Sequence, residues 1–309
     1  MAGGRREHCT VMLTVPVDPD RERAVRAIRR WFELCPQRLH GEFGAAVRAT
    51  PTGDLDPPES PPGTVHALVS TALFDDLQGD PSEWTRAYSP GSWDELLRRL
   101  GDLPDAASFE AQTRDEQGRL SRPSFLVSSI SGKGYVDLVS TIDDAVAGDP
   151  DGERALLATV REVADLAAPV AVAVAVQGSL TDTPLEVALS HSPTDYRKRP
   201  GEVLRNYGWL TVLSDEMAER LGGSDRLRAS GAFVEIEPLA AGGWWLLATK
   251  TWDEYGPEQA NRLFELLAPV LPAGRPEITQ WRFPTIADPP IRVTLPNVVA
   301  ERDPREITG

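Results

Sequence analysis

Apolar positions along this chain recur in two rhythms, and the chain switches between them repeatedly. Residues 9–17, CTVMLTVPV, form a nearly continuous apolar run of strand composition. DPDRERAVRAIRRWFEL then changes to helical spacing, with Ala24, Val25, Ile28, Trp31 and Phe32 on one stripe. Asp18 is placed to cap this helix, Pro19 to open it and Pro36 to end it. TVHALVSTALF returns to strand composition, and SWDELLRRL returns to a helix, with Ser92 and Glu95 at capping-box spacing. ASFEAQTRD and RPSFLVSSIS flank the polar turn EQGRLS and predict a β-hairpin.

The second half repeats these devices. In GDPDGERALLATVREVADLAAP, Asp149 caps, Pro150 starts the helix, and Leu156, Leu157, Val160, Val163, Ala164 and Ala167 make the buried stripe. PVAVAVAVQG is apolar at every position from Val170 to Val176, which predicts a strand covered on both faces. NYGWLTVLS reads as a strand, and SDEMAERLGG as a short helix capped by Ser214 and stopped at Gly222. GAFVEIEP and GWWLLATKT make a hairpin across LAAGG, and Pro257 opens PEQANRLFELLAPVL with Ala260, Leu263, Phe264 and Leu267 inward. EITQWRF and IRVTLP, in a stretch rich in proline, predict edge strands.

This order predicts an α+β fold, with mixed or antiparallel sheets carrying packed helices. Matching DPD starts at residues 18 and 149 suggest two similar lobes. The expected division is an N-terminal α/β lobe over 1–120, a C-terminal α+β lobe over 121–285 and a Pro-rich tail over 286–309. Residues 50–63, TPTGDLDPPESPPG, hold five prolines and two glycines and read as an exposed loop or linker within the first lobe.

Charge narrows the classes of partner. Forty-seven acidic residues against 32 basic ones give a net charge of −15, which disfavours nucleic acid and anionic membranes and permits a basic protein. The apolar runs are too short to span a membrane, and the start of the chain lacks a signal-peptide layout. The two cysteines, Cys9 and Cys35, read as buried free thiols in a reducing cytoplasm.

Candidate chemistry is thin. SISGKGY (129–135) resembles a fragment of a phosphate loop, but the upstream glycine is missing and Gly134 stands where a hydroxyl residue is needed. A glycine-containing turn explains it better. DDAVAGDPDGE lacks the ligand order of a calcium loop, and His8, His40, His66 and His191 follow no zinc spacing. No nucleophile elbow occurs, and a Cys35–His40 pair is the one formal nucleophile–base combination. No cofactor, metal or catalytic residue is therefore assigned.

GGWWLLATKTWDEYG (242–256) concentrates three tryptophans and a tyrosine. Trp244 and Trp245 must point to opposite faces of a strand, and the partner strand places Glu235 and Glu237 together on one face. That charged face is expected to be wet. Core packing accounts for most of these rings; a protein-binding patch is the alternative.

From TPLEVAL through LRNYGWLTVLSDEMAERLGG to GAFVEIEPLAAGGWWLLATKTWDEYGPEQANRLFELLAPVLP, the chain resembles bacterial proteins similar to polymorphic-toxin immunity proteins, of the type VI and immunity protein 52 kind. The shared features are Tyr207–Ser214, Asp215–Gly222 and Gly231–Leu271, in the last third to half of the chain. Three lysines among many arginines fit a high-GC bacterial genome. The resemblance implies a non-enzymatic cytoplasmic protein that binds and neutralises a toxin, without a cofactor. Trp245, Trp252, Glu235 and Asp215 are the expected partner contacts. An enzyme with a dispersed site in a cleft between lobes, and a structural or regulatory component of a larger assembly, remain open alternatives.

Overall fold

The computed structural model describes residues 8–41, 44–45, 47, 65–73, 82–113, 116, 125–132, 134–143, 148–176, 183–189, 202–276 and 299–308. The Pro-rich segment 50–63 and the two expected edge strands in 277–298 lie outside the described residues. The chain is α+β and divides into two compact units, Met1–Ala167 and Ala168–Gly309.

In the first unit the elements run β1 (His8–Pro16), α1 (Arg21–Arg38), β2 (Val65–Leu73), β3 (Ser82–Ala87), α2 (Pro90–Arg99), β4 (Ala106–Thr113), β5 (Phe125–Gly132), β6 (Tyr135–Asp143) and α3 (Pro150–Ala167). Its six strands bond in the order β3-β2-β4-β5-β6-β1, and each neighbouring pair is antiparallel. The pairing of β1 with β6, His8 opposite Asp143 through Pro16 opposite Tyr135, closes the unit across most of its length. β4 pairs with β5, so the division falls after Ala167 and not at 120–121: a cut there would open that hairpin. Both DPD-led helices, α1 and α3, belong to this unit, so the repeated motif does not mark one lobe each.

The helices take one face of the sheet. Cys9, Val11, Leu13 and Val15 on β1 share this face with Leu138, Ser140 and Ile142 on β6. Above them lie Ala24, Ala27, Ile28, Trp31, Phe32 and Cys35 of α1, all buried. Trp31 also satisfies its indole N–H on the Val139 carbonyl at 3.2 Å, as a buried tryptophan must. Tyr88, Trp93 and Phe109 form a three-ring cluster, with centroids 5.0–6.2 Å apart, that holds α2 on β4. Glu162 of α3 pairs with Arg30 and Arg38 of α1.

Helix starts follow the expected chemistry with small shifts. Asp149 accepts the Gly152 N–H at 2.9 Å, and α3 begins at Pro150 as the sequence indicates. The α1 cap is Asp20, not Asp18: its carboxylate reaches the Arg23 N–H at 2.9 Å. Pro36 lies inside α1, which continues to Arg38: in the last turn the proline removes one ladder bond, and the Leu39 N–H still reaches the Cys35 carbonyl at 3.0 Å. The α2 box uses Ser89 with Ser92, which leaves Glu95 free to pair with Arg98 and Arg99. In SISGKGY, Gly132 at the end of β5 pairs with Tyr135 at the start of β6, and a Cβ at Gly132 would collide with the Tyr135 hydroxyl.

The second unit runs β7 (Ala171–Val176), α4 (Pro184–Ala188), β8 (Leu210–Leu213), α5 (Asp215–Arg220), α6 (Gly223–Ala229), β9 (Glu235–Pro238), β10 (Trp244–Leu247), α7 (Pro257–Leu267) and α8 (Arg305–Thr308). Ala171–Ala175 of β7 are buried, as a strand covered on both faces requires. β8, β10 and β9 form an antiparallel three-stranded sheet with β10 in the centre. Ala260, Leu263, Phe264 and Leu267 of α7 enter a core with Leu213, Met217, Leu227 and Leu246. Val299 and Ala300, in the expected tail, are buried in that same core. Among the described residues, no helix is long and apolar enough to cross a membrane.

Candidate functional site

The residues that carry the family resemblance meet in the second unit. Thr183 caps α4: its hydroxyl accepts the Glu186 N–H at 3.2 Å, and Glu186 Oε2 accepts the Thr183 N–H at 2.8 Å. The same hydroxyl donates to the Arg205 carbonyl at 2.8 Å. Arg205 then returns to Glu186 through two bonds, Nε to Oε1 at 2.8 Å and Nη2 to Oε2 at 3.1 Å. TPLEVAL and LRNYGW are thereby fastened by a closed polar loop whose charged side chains are 0% and 3% exposed.

The rest of LRNYGW is also committed inward. Asn206 donates to the Val172 carbonyl of β7 at 3.4 Å, and Trp209 Nε1 donates to the Thr249 carbonyl at 3.0 Å. Tyr207 accepts the Ala300 N–H at 2.8 Å, and burial pushes its phenol up from its ordinary pKa. Burial, and Tyr207 beside it, also push the Tyr255 phenol well above its ordinary pKa. These groups tie α4, β7, β8 and the 299–300 segment together. With the ion pair neutralised internally and both phenols protonated at neutral pH, they form a structural polar knot.

GGWW is explained by its turn. Leu239 and Gly243 close the β9–β10 hairpin, and Gly243 adopts φ +89° where a Cβ would meet the Leu213 carbonyl at 2.6 Å. Asp215 Oδ2 accepts the Gly243 N–H at 3.2 Å, so an exposed α5 carboxylate holds this turn.

The register settles the two adjacent tryptophans. Trp245 stands opposite Glu237 and Leu247 opposite Glu235, so Trp245 shares the glutamate face. That face is not wet: Leu210, Val212, Trp245 and Leu247 are all buried, Trp245 at 2% exposure. Trp245 is therefore a core residue and not a surface contact. The glutamates mark β9 as the edge strand, where charge blocks further pairing, and do not mark the whole face as open. Trp244 faces the other core yet is only half-buried, with the Arg228 guanidinium 5.7 Å from its ring centroid.

The four expected contacts do not converge. Asp215 lies beyond the Leu213–Trp244–Pro238 end of the sheet. Glu235 lies at the opposite end, and Trp252 packs edge-on against Trp209 there, with centroids 5.6 Å apart. At the Asp215 end, Glu216 and Glu237 are also exposed; Trp244 lies at the same end of the sheet, on the face opposite Glu237. This end is the surface that Asp215 identifies; Glu216 and Glu237 are the exposed carboxylates sequence reasoning missed, because only the pairing of β9 with β10 brings Glu237 to the end where α5 begins.

In the first unit the Cys35–His40 pair does come together, through Ser140. His40 Nε2 lies 3.2 Å from Ser140 Oγ, and the Cys35 thiol bonds the same hydroxyl. Burial pushes the thiol well up and the imidazole down to about 3. Both are neutral at pH 7, the reverse of a thiolate beside an imidazolium, so the arrangement is a buried polar contact and not an activated nucleophile. No group of three or more His, Cys, Asp or Glu side chains suited to a metal ion occurs among the described residues.

Fold and site together define an α+β protein with an open antiparallel sheet in its first unit and an internally neutralised polar knot in its second. No family model matches the chain, and no curated protein matches it. Among solved structures it is similar to the Pseudomonas aeruginosa T6SS protein PA0821, with 14% identity and a TM-score of 0.48, over 86% of this chain and 73% of that one.

Proposed function

We propose that this chain is a non-catalytic protein-binding module that holds a basic protein, and that the protein held is a toxin domain which it neutralises, in the manner of the immunity proteins its C-terminal part resembles. The observation that carries the reading is one end of the three-stranded sheet, where Asp215, Glu216 and Glu237 are exposed and the half-buried Trp244 lies on the central strand, on the face opposite Glu237. Tryptophan is a frequent contact residue in protein interfaces, and exposed carboxylates steer a basic partner into place. The net charge of −15 acts in the same direction.

The full chain, tagged and used to capture proteins from its native cells at low ionic strength, tests the proposal. Recovery of a basic protein in stoichiometric amount, released by salt, and blocked from toxicity when the chain is co-expressed, is the expected result. Recovery of no stoichiometric protein, or of one whose toxicity the chain leaves intact, opposes it.

A further inference from the structure

β3 is the outer strand of the first unit's sheet, and among the described residues no strand pairs with its far side. The Tyr88 N–H donates to the Ala67 carbonyl at 2.8 Å, just beyond the end of the β2–β3 pairing. Backbone groups alternate along an antiparallel pair. Arg86, Trp84 and Ser82 therefore also turn theirs toward β2, while those of Glu83, Thr85 and Ala87 point away from it. The Thr85 carbonyl accepts from the Arg86 guanidinium at 2.7 Å, where a further strand would supply an N–H. Ser82, Glu83 and Arg86 are exposed, and Trp84, Thr85 and Ala87 are only partly covered, so this edge is open.

Edge strands are ordinarily protected by proline, lysine or a bulge. β9 has such protection. Glu235 and Glu237 alternate there before Pro238, and pairing β9 with itself would set like charges face to face. β3 has neither proline nor lysine, and its register with β2 runs from Ser82 to Ala87 without a bulge. Its two charges, Glu83 and Arg86, are of opposite sign and lie on opposite faces. Trp84 shares its face with Arg86, whose guanidinium carbon is 5.9 Å from the ring centroid. Arg99 of α2 lies 4.7 Å from the same ring. The strand thus carries a ring and a cation two positions apart, on either side of Thr85.

We propose that β3 is a dimerisation edge, which pairs antiparallel with β3 of a second copy of this chain about a two-fold axis at Thr85. That register sets Thr85 against Thr85, Glu83 against Ala87, and Trp84 against Arg86 of the other copy. Every outward N–H at 83, 85 and 87 then meets an outward carbonyl. No like charges stand opposite each other, and each Trp84 ring receives the other copy's guanidinium. Arg86 yields the Thr85 carbonyl to the incoming N–H and keeps a ring to lie on. The symmetric spacing of Trp84 and Arg86 about Thr85 is what selects a second copy, because it makes the strand complementary to itself. One short strand pair buries little surface, so the dimer is weak and concentration-dependent. The dimer concerns the first unit and is independent of toxin neutralisation.

Sedimentation velocity of the full chain over a concentration series tests this, at about 0.15 M salt to screen the net charge of −15. A reversible monomer–dimer equilibrium is expected. Thr85→Pro removes the outward N–H that each copy donates, at an edge position where proline is tolerated, and should weaken association at least about tenfold. Two cysteine variants fix the register and keep the proposal falsifiable should Thr85→Pro not fold. Paired residues of this kind have Cα atoms about 5.5 Å apart, within disulfide reach. Thr85→Cys should therefore cross-link to its own copy under mild oxidation at least about tenfold faster than Glu83→Cys, whose two copies stand roughly 14 Å apart. Cys9 and Cys35 are buried and do not compete. A chain that stays monomeric at every concentration, which leaves the edge to some other strand, overturns the proposal. So does a dimer that Thr85→Pro leaves unchanged, or equal cross-linking by the two cysteine variants. Salt should release a captured basic partner but not this dimer, so the two readings fall separately.

Discussion

Replacing Glu186 by glutamine leaves the Arg205 guanidinium charged, 3% exposed and without its counter-ion. Glutamine can still accept the Thr183 N–H through its amide oxygen, so the α4 cap survives and the lost quantity is chiefly the ion pair. Removing one partner of a buried pair costs about 3–5 kcal/mol, a large fraction of the roughly 5–15 kcal/mol that holds a domain folded. With a urea dependence of about 2 kcal/mol per molar, the midpoint should fall by roughly 2 M. Arg205→Met should cost a similar amount. The double replacement Glu186→Leu with Arg205→Met removes both charges and refills the volume, so it should cost clearly less than the two single changes added together. Urea titrations followed by far-ultraviolet circular dichroism measure all three. A loss below about 1 kcal/mol in Glu186→Gln, or a double variant as costly as the sum of its parts, would refute the structural role assigned to TPLEVAL and LRNYGW.

Three further outcomes follow from the geometry. The folded His40 holds off a proton that the unfolded chain takes up below about 6.5, so stability falls as pH drops from there toward about 3; at about pH 5 the loss is roughly 2 kcal/mol, and His40→Gln should flatten that slope in denaturant titrations made across the range. Trp245→Ala should cost about 3–5 kcal/mol as a core truncation, whereas Trp252→Ala should cost about 1–2, chiefly its edge-on contact with Trp209; equal costs would contradict the burial assigned to each. Cys9 and Cys35 should react with a thiol reagent only as fast as the first unit opens, and rapid labelling of the native chain would show Cys35 to be more accessible and more acidic than its buried position allows.

The elements read best from sequence are those whose signals are local. The Asp149–Pro150 start of α3 and the Pro257 start of α7 combine cap chemistry with helical spacing inside one window, and both helices fall where that spacing puts them. Signals that depend on distant partners were not legible. Nothing near β1 announces that β6, more than a hundred residues away, completes its pairing, so the boundary at Ala167 was hidden. β3 is short and polar because it is an edge strand, so its composition carries no strand signal. The orientation of Trp244 and Trp245 turns on a one-residue register that composition does not encode. Resemblance picked out LRNYGW, but its role required seeing Arg205 meet Glu186 across 19 residues of chain.

The central claim, that an acidic end of the second unit receives a basic protein, is tested most directly by the association rate of the captured partner. Glu216→Lys with Glu237→Lys reverses two exposed charges at that end. At low salt the account predicts that the rate falls at least about tenfold in this variant, and that salt narrows the difference. An unchanged rate, at low salt and high alike, would contradict it.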